Sequence, residues 1–263
     1  MTAAGGRPAS AFPLFTAEHW AALGCIAGAT LLLSLMLRRV AHPPHAAAVR
    51  RVVCWSLAVV LLGGAVLAEV QRFRAGIWTL RESLPLHLCD IAVLVVGVAL
   101  LAAGWFPPEA LLRGATPVRQ RGDPARRWQR LYELGYTWGL GGTLQAVLTP
   151  DSPARFPDLE CVRYFVLHGG IMVGVLVMTL GLGLRPLPGA PWRVWRVTLG
   201  LAIVVGGIDW LLGANYMYLA GPPANPTIYD LFGPWPWALL TLAGVGTVLI
   251  YACYLPFWRP RRA

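Results

Sequence analysis

Long apolar runs separated by short polar stretches constrain the fold of this chain more than any other feature. Seven of them fall at roughly 20–37, 52–71, 85–105, 132–149, 163–184, 197–219 and 235–256. Each is close to or above the ~20 residues that a helix needs to cross about 30 Å of hydrocarbon. In lipid a spanning segment must satisfy its own backbone N–H and C=O groups, so single runs of this length read as helices. The expected fold is all-α: one transmembrane domain over residues 1–263, a polytopic membrane bundle of seven transmembrane helices. Composition agrees, with 57% hydrophobic and 13% charged residues and a mean hydropathy of +0.58, well beyond the apolar share of ordinary soluble domains.

The formal net charge of +10 is carried by 22 arginines and no lysine. Sixteen arginines fall after the first run, between the third and fourth, between the fifth and sixth, and in the tail. Six fall on the other side: Arg7, Arg72, Arg74, Arg81, Arg155 and Arg163. This asymmetry is a topology signal, and it places the N-terminus outside and the C-terminus in the cytoplasm. It gives no reason to expect a nucleic-acid partner. Residues 1–19 lack the basic start of a secretory signal, so the first run reads as a retained span. The longest stretch between spans, 106–130, reads as an Arg-rich cytoplasmic loop. The expected location is a membrane.

The polar residues within the spans are unevenly placed. Glu69 and Gln71 close the second run, His87, Cys89 and Asp90 open the third, and Gln145, Thr149 and Asp151 close the fourth. His168 lies early in the fifth, and Asp209, Asn215, Tyr216 and Tyr218 fall late in the sixth. With the topology above, all of these ends are extracytoplasmic, whereas the cytoplasmic halves carry little besides Glu133. Polar groups in a span are costly, so a one-sided set reads as an amphiphilic cavity open to the outer leaflet. Interhelical hydrogen bonding is the simpler reading for any one of them. Small residues such as Gly170 and Gly174 read as packing positions.

In "LPLHLCDIA", residues 84–92, Pro85 suits the first helical position, which puts Cys89 in about the second turn. The positive end of the helix dipole favours a thiolate there. Cys89 is therefore either an activated nucleophile or a small packing residue. His87 and Asp90, three apart, share a helix face, and Asp90 is placed to orient His87. A base for Cys89 must come from another helix, and His168 is at the same depth. Asp209 could orient His168, while Gln145, Asn215 or Tyr216 could donate to an oxyanion. Two histidines and two carboxylates (His87, Asp90, His168 and Asp209) also suit zinc or iron. No CxxC pair or metal-type cysteine spacing occurs, however, and neither a metal nor another cofactor is expected. Without lysine, Schiff-base chemistry is excluded. Arg74, Arg81, Arg155 and Arg163 stand at the outer rim, where they can clamp a lipid headgroup or snorkel to the interface.

Three stretches, "LPLHLCDIA" at 84–92, "GTLQAVLTPD" at 142–151 with "YFVLHGG" at 164–170, and "NYMYLAGPP" at 215–223 followed by "LFGPWPW", occur in a telling order. Over roughly residues 50–258 they resemble the YwaF-like bacterial integral membrane family, related to an animal transmembrane acyltransferase acting on ether phospholipids. The resemblance implies an acyltransferase that moves a fatty acyl chain between membrane lipids through a Cys89 thioester, with His168 as base. His87, Asp90, Gln145, Asp209, Asn215 and Tyr216 would support the site. Alternatives from other classes are a non-enzymatic lipid-binding or transport protein with the same cavity, and a membrane lipid-ester hydrolase. Membrane lipids are the expected partners; no protein partner is indicated.

Overall fold

The computed structural model describes residues 12–40, 45–106, 124–150, 154–223 and 228–258. Among these residues there is helix and no strand. The elements run α1 (Ala17–Arg39), α2 (His45–Arg74), α3 (Leu88–Trp105), α4 (Pro124–Trp138), a π-helical turn (Gly139–Thr143), α5 (Leu144–Leu148), α6 (Leu159–Leu176), α7 (Ala190–Leu212) and α8 (Ala238–Tyr254). A second π-helical turn, Val177–Gly181, prolongs α6.

Among the described residues, six helices are long and apolar enough to cross a membrane: Ala17–Arg39, His45–Arg74, Leu88–Trp105, Leu159–Gly181, Ala190–Leu212 and Ala238–Phe257. The expected span at 132–149 is helical too, but it is interrupted by the π turn and is not one of those six. Three of its polar side chains are turned inward, Glu133, Thr137 and Thr143, as is Gln129 one turn before it, whereas Gln145 and Thr149 near its end are exposed. The expected loop at 106–130 is shorter than its sequence suggests, because α4 begins at Pro124. A proline is preorganised for the first turn of a helix, and its missing N–H costs nothing there. Asp151 and the arginines at 7, 113, 119, 121, 259, 261 and 262 lie outside the described residues.

Helix α3 is the hub. Ala92, Val96, Ala99, Leu100 and Ala103 lie in one buried cluster with Cys54, Ala58 and Leu61 of α2, Tyr132 and Tyr136 of α4, and Ile171 and Val175 of α6. Small residues set the spacing. A Cβ on Gly97 would come within 2.6 Å of Leu62, and one on Gly174 within 3.0 Å of Val96 and Leu100. Neighbouring backbones can approach this closely because the side chain is absent. Helices α7 and α8 pack at the edge of this group and leave most of their apolar surface outward, as lipid contact requires.

The end of the bundle where α3 finishes is held by polar pairs. Glu133 accepts from Arg193 Nη2 at 2.9 Å through each of its two oxygens, and from the Leu187 N–H at 2.9 Å. Tyr132 lies 2.9 Å from the Thr179 hydroxyl and donates to the Leu184 carbonyl at 3.0 Å, while Gln129 donates to the Arg185 carbonyl at 2.7 Å. Glu133, the polar exception in its half of the sequence, is therefore a paired and hydrogen-bonded buried charge, the condition under which such a group is tolerated.

Candidate functional site

The start of α3 differs from the expectation that Pro85 is its first residue. His87 is the N-cap, in an extended conformation with φ −67° and ψ 148°. Asp90, at the third helical position, accepts a hydrogen bond from the His87 backbone N–H. This is the returning half of a capping box, and it satisfies a backbone donor that the helix leaves free. The helix thus begins where Asp90 can cap it, three residues after the proline. As a result Cys89 sits at the second helical position, in the first turn and not the second, where the exposed N–H groups and the dipole act most strongly. Its half-buried thiol lies against the hydroxyl of Thr143, within hydrogen-bonding reach.

Asp90 holds the backbone of His87, and other groups hold its ring. The Nδ1 atom accepts from the Met217 N–H at 3.3 Å, so Nε2 carries the proton of the neutral ring. The rings of Tyr216 and Tyr218 flank it, with centroids 5.4 and 5.5 Å away. Met217 and Tyr218 have positive φ, 54° and 58°, a conformation that side chains other than glycine seldom adopt. The chain is therefore strained where it wraps His87.

Three expected helpers of the reaction instead build this wrapping segment. Asp209 is buried, and its Oδ1 accepts from the Tyr216 N–H at 2.8 Å. Its electrostatic neighbour is His87, and its Oδ1 is spent on the turn, which corrects the expectation that it orients His168. Asn215 closes a loop, donating to the Gly221 carbonyl at 3.1 Å and accepting from Ala220 N–H at 3.0 Å. The Tyr216 hydroxyl accepts from Leu84 N–H at 2.9 Å and donates to Leu80 carbonyl at 3.0 Å. The only O–H of Tyr216 is thus already committed, and the oxyanion assignments to Asn215 and Tyr216 give way to structural ones. Gln145 is exposed on α5, and among the described residues its side chain has no hydrogen-bond partner.

His168 is located by the stripe it belongs to. On α6, residues 164, 168, 171 and 175 recur at helical spacing and share a face. Tyr164 donates its hydroxyl to the Ala146 carbonyl at 2.9 Å, and a Cβ on Gly139 would meet Ile171 at 3.1 Å and Val175 at 3.3 Å. His168 therefore lies on the face of α6 that packs against the 139–148 segment, between these two contacts along the helix. The same segment reaches α3: Leu88 would stand 3.6 Å from a Cβ on Gly142, and Thr143 faces Cys89. The His168 ring stacks on Tyr164, with centroids 4.1 Å apart, and Nδ1 bonds the Tyr164 carbonyl at 2.9 Å. A carbonyl only accepts, so Nδ1 carries the proton and Nε2 keeps its lone pair. Among the described residues Nε2 has no hydrogen-bond partner.

The rim arginines divide. Arg163 donates to Gln71 Oε1 at 2.8 Å and Arg155 stands 4.0 Å from Glu18. Arg81 lies over Gly213, and Arg74 is exposed at the end of α2. Arg72 bonds Glu69 at 2.7 Å, and Trp78 donates to the second oxygen of Glu69 at 3.0 Å. Two surface grooves of about 420 and 400 Å³ lie at the opposite end from Cys89, one beside Glu133 and the other beside Trp105. No three His, Cys, Asp or Glu side chains gather as a metal site among the described residues.

The sequence model of the TMEM164 family matches residues 14–254, nearly the whole chain. The chain belongs to the TMEM164 family. No curated protein and no solved structure matches it. In this TMEM164-family protein, two residues join the site that polarity alone did not bring forward. Thr143 follows "GLGG", a glycine run inside a span, and such a run signals close approach or irregular backbone. His19 is fully buried: it accepts from Phe15 N–H and donates to the Val147 carbonyl, each at 2.9 Å. It fastens α1 to α5 and so braces the segment that carries Thr143.

Proposed function

We propose that this TMEM164-family protein is a membrane acyltransferase that carries a fatty acyl chain between lipids as a thioester on Cys89. The likeness of its motifs to the YwaF-like bacterial family, and that family's relation to an animal ether-phospholipid acyltransferase, belong to the same proposal. The observation that carries it is the tautomer of His168: with Nδ1–H given to the Tyr164 carbonyl, Nε2 is a free base on the face of α6 that packs against the 139–148 segment, whose Thr143 touches the Cys89 thiol.

In the first half-reaction the thiol proton passes to His168 Nε2 while sulfur attacks the ester carbonyl of a phospholipid. The tetrahedral adduct collapses as the ester C–O bond breaks, and the imidazolium protonates the departing lysolipid oxygen. In the second, the hydroxyl of an acceptor lipid attacks the thioester and gives its proton to His168. The C–S bond breaks, and that proton returns to the thiolate. Thr143 holds the free thiol before the first half-reaction and again after the second. Arg74 and Arg81, which have no acidic partner among the described residues, are the headgroup ligands. Seven spans are part of this reading, with Pro124–Leu148 as the fourth. An outside N-terminus and a cytoplasmic C-terminus put the site in the outer leaflet of a bacterial cytoplasmic membrane.

The test is reconstitution of the full chain with a phospholipid bearing an alkyne-tagged acyl chain and a lysolipid acceptor. Wild type should give tagged acceptor and a hydroxylamine-labile tag on the protein. Cys89→Ser should lose the labile adduct and at least about a thousandfold in turnover. A Cys89→Ser protein that transfers acyl groups at the wild-type rate overturns the thioester. Wild type that retains lipid without transfer is a binding protein, and release of free fatty acid in place of tagged acceptor makes it a hydrolase.

A further inference from the structure

A groove of about 420 Å³ opens between α4 and α7, at the end of the bundle away from Cys89. Its lining is Arg130, Glu133, Leu134, Arg193, Val194, Arg196 and Val197. The charges do not cancel. Glu133 is buried and takes Arg193 at 2.9 Å through both oxygens, so that pair is neutral and closed on itself. Arg130 and Arg196 are exposed, and among the described residues neither has an acidic partner. Two unpaired guanidinium groups therefore face one cleft.

The rest of the lining fits a membrane setting. The Arg196 guanidinium lies 5.9 Å over the ring of Trp192, which stacks on Trp195 at 5.1 Å. A guanidinium resting on an aromatic face is held in place before any ligand arrives. Beside the arginines the wall is apolar, made of Leu134, Val194 and Val197, and beyond the groove α7 continues outward with exposed Leu199, Ile203 and Val204. The Trp138–Thr198 hydrogen bond of 2.9 Å ties the same two helices together one turn further along. A cationic head above an apolar wall matches a molecule with an anionic head and a hydrocarbon tail. A soluble anion would use the head alone.

We infer that this groove is a binding site for a phospholipid of net negative headgroup charge. Arg130 and Arg196 grip the phosphate, and an acyl chain lies along Val197 and the outward face of α7. Basic clefts between helices are suited to such headgroups, and the paired, planar donors of arginine match phosphate oxygens. The site is separate from the Cys89 centre, and it stands or falls independently of the proposed acyl transfer.

Native mass spectrometry of the full chain, exchanged into mixed phosphatidylglycerol and phosphatidylcholine of identical acyl chains, provides the test. Wild type should retain phosphatidylglycerol over phosphatidylcholine by about tenfold, and Arg130→Gln/Arg196→Gln should bring the two to parity. Arg130→Lys/Arg196→Lys should keep part of the preference. Arg39→Gln/Arg51→Gln, which removes two arginines elsewhere at the same end, should keep all of it. An unselective wild type, or a selective Arg130→Gln/Arg196→Gln variant, overturns the proposal. So does an equal loss in Arg39→Gln/Arg51→Gln, which would make the preference a diffuse charge effect. Displacement of the lipid by millimolar inorganic phosphate would show a phosphate site and likewise overturn it.

Discussion

The hydroxyl of Thr143, in the π turn between α4 and α5, lies against the thiol of Cys89 in the first turn of α3. The contact joins α3 to the segment that also packs against the His168 face of α6. If Thr143 orients the thiol for acyl transfer, Thr143→Val should slow turnover about tenfold, the loss of roughly one hydrogen bond in the transition state. Thr143→Ser should keep most of the rate. Single-turnover acylation of the protein by tagged phospholipid is the measurement, and a Thr143→Val rate equal to wild type removes Thr143 from the mechanism.

Tyr216 ties the 213–221 segment to the loop before α3 through Leu84 N–H and Leu80 carbonyl. Tyr216→Phe leaves both without their partner and should cost about 1–3 kcal/mol. The effect should be local: hydrogen exchange at Leu84 should accelerate, while amides in the middle of α3 stay protected.

Breaking the Glu133–Arg193 pair strands a charge in a buried place. Glu133→Ala should destabilise the protein by about 3–5 kcal/mol, whereas Glu133→Leu combined with Arg193→Met should recover much of that loss. Thermal unfolding in one detergent, followed by tryptophan fluorescence, compares them. Equal losses in the single and double variants would show that the hydrogen bond to Leu187, and not the unpaired charge, dominates.

Gly97 meets Leu62 at a distance that no side-chain carbon tolerates, 2.6 Å from the position its Cβ would take. Gly97→Val should push α2 and α3 apart at a cost of about 1–3 kcal/mol, and Leu62→Ala in the same chain should return part of it. If Gly97→Val alone unfolds at the wild-type temperature, the helices are less tightly fixed than this contact requires.

Much of this organisation is legible in the sequence. Apolar runs locate six spanning helices because lipid leaves a backbone no alternative to helix. "LHLC" marks a cysteine that meets the π turn at Thr143. The supporting roles are not legible, and Asp209, Asn215 and Tyr216 show why. Polarity says that a side chain needs partners; it does not say that the nearest orphans are the backbone groups of an irregular loop, which must all be satisfied. The start of α3 differs for a related reason, since Pro85 permits a helix there but Asp90 can cap only the one that begins at Leu88. The run at 132–149 carries Glu133, Thr137 and Thr143 at buried positions against protein, where hydropathy counts them as though they faced lipid.

The π turn at Gly139–Thr143 holds one residue more than an α-helical turn would. The π turn absorbs that surplus, because its residues advance by fewer degrees each than those of an α-helix; wound as regular α-helix, the same residues would swing α5 by about 100° relative to α4. Loss of the π geometry at full length would carry the Ala146 and Val147 carbonyls away from Tyr164 and His19 without altering any side chain that touches them, whereas deletion of Gly141 would leave them in register. The site depends on how the backbone is wound as well as on residue identity.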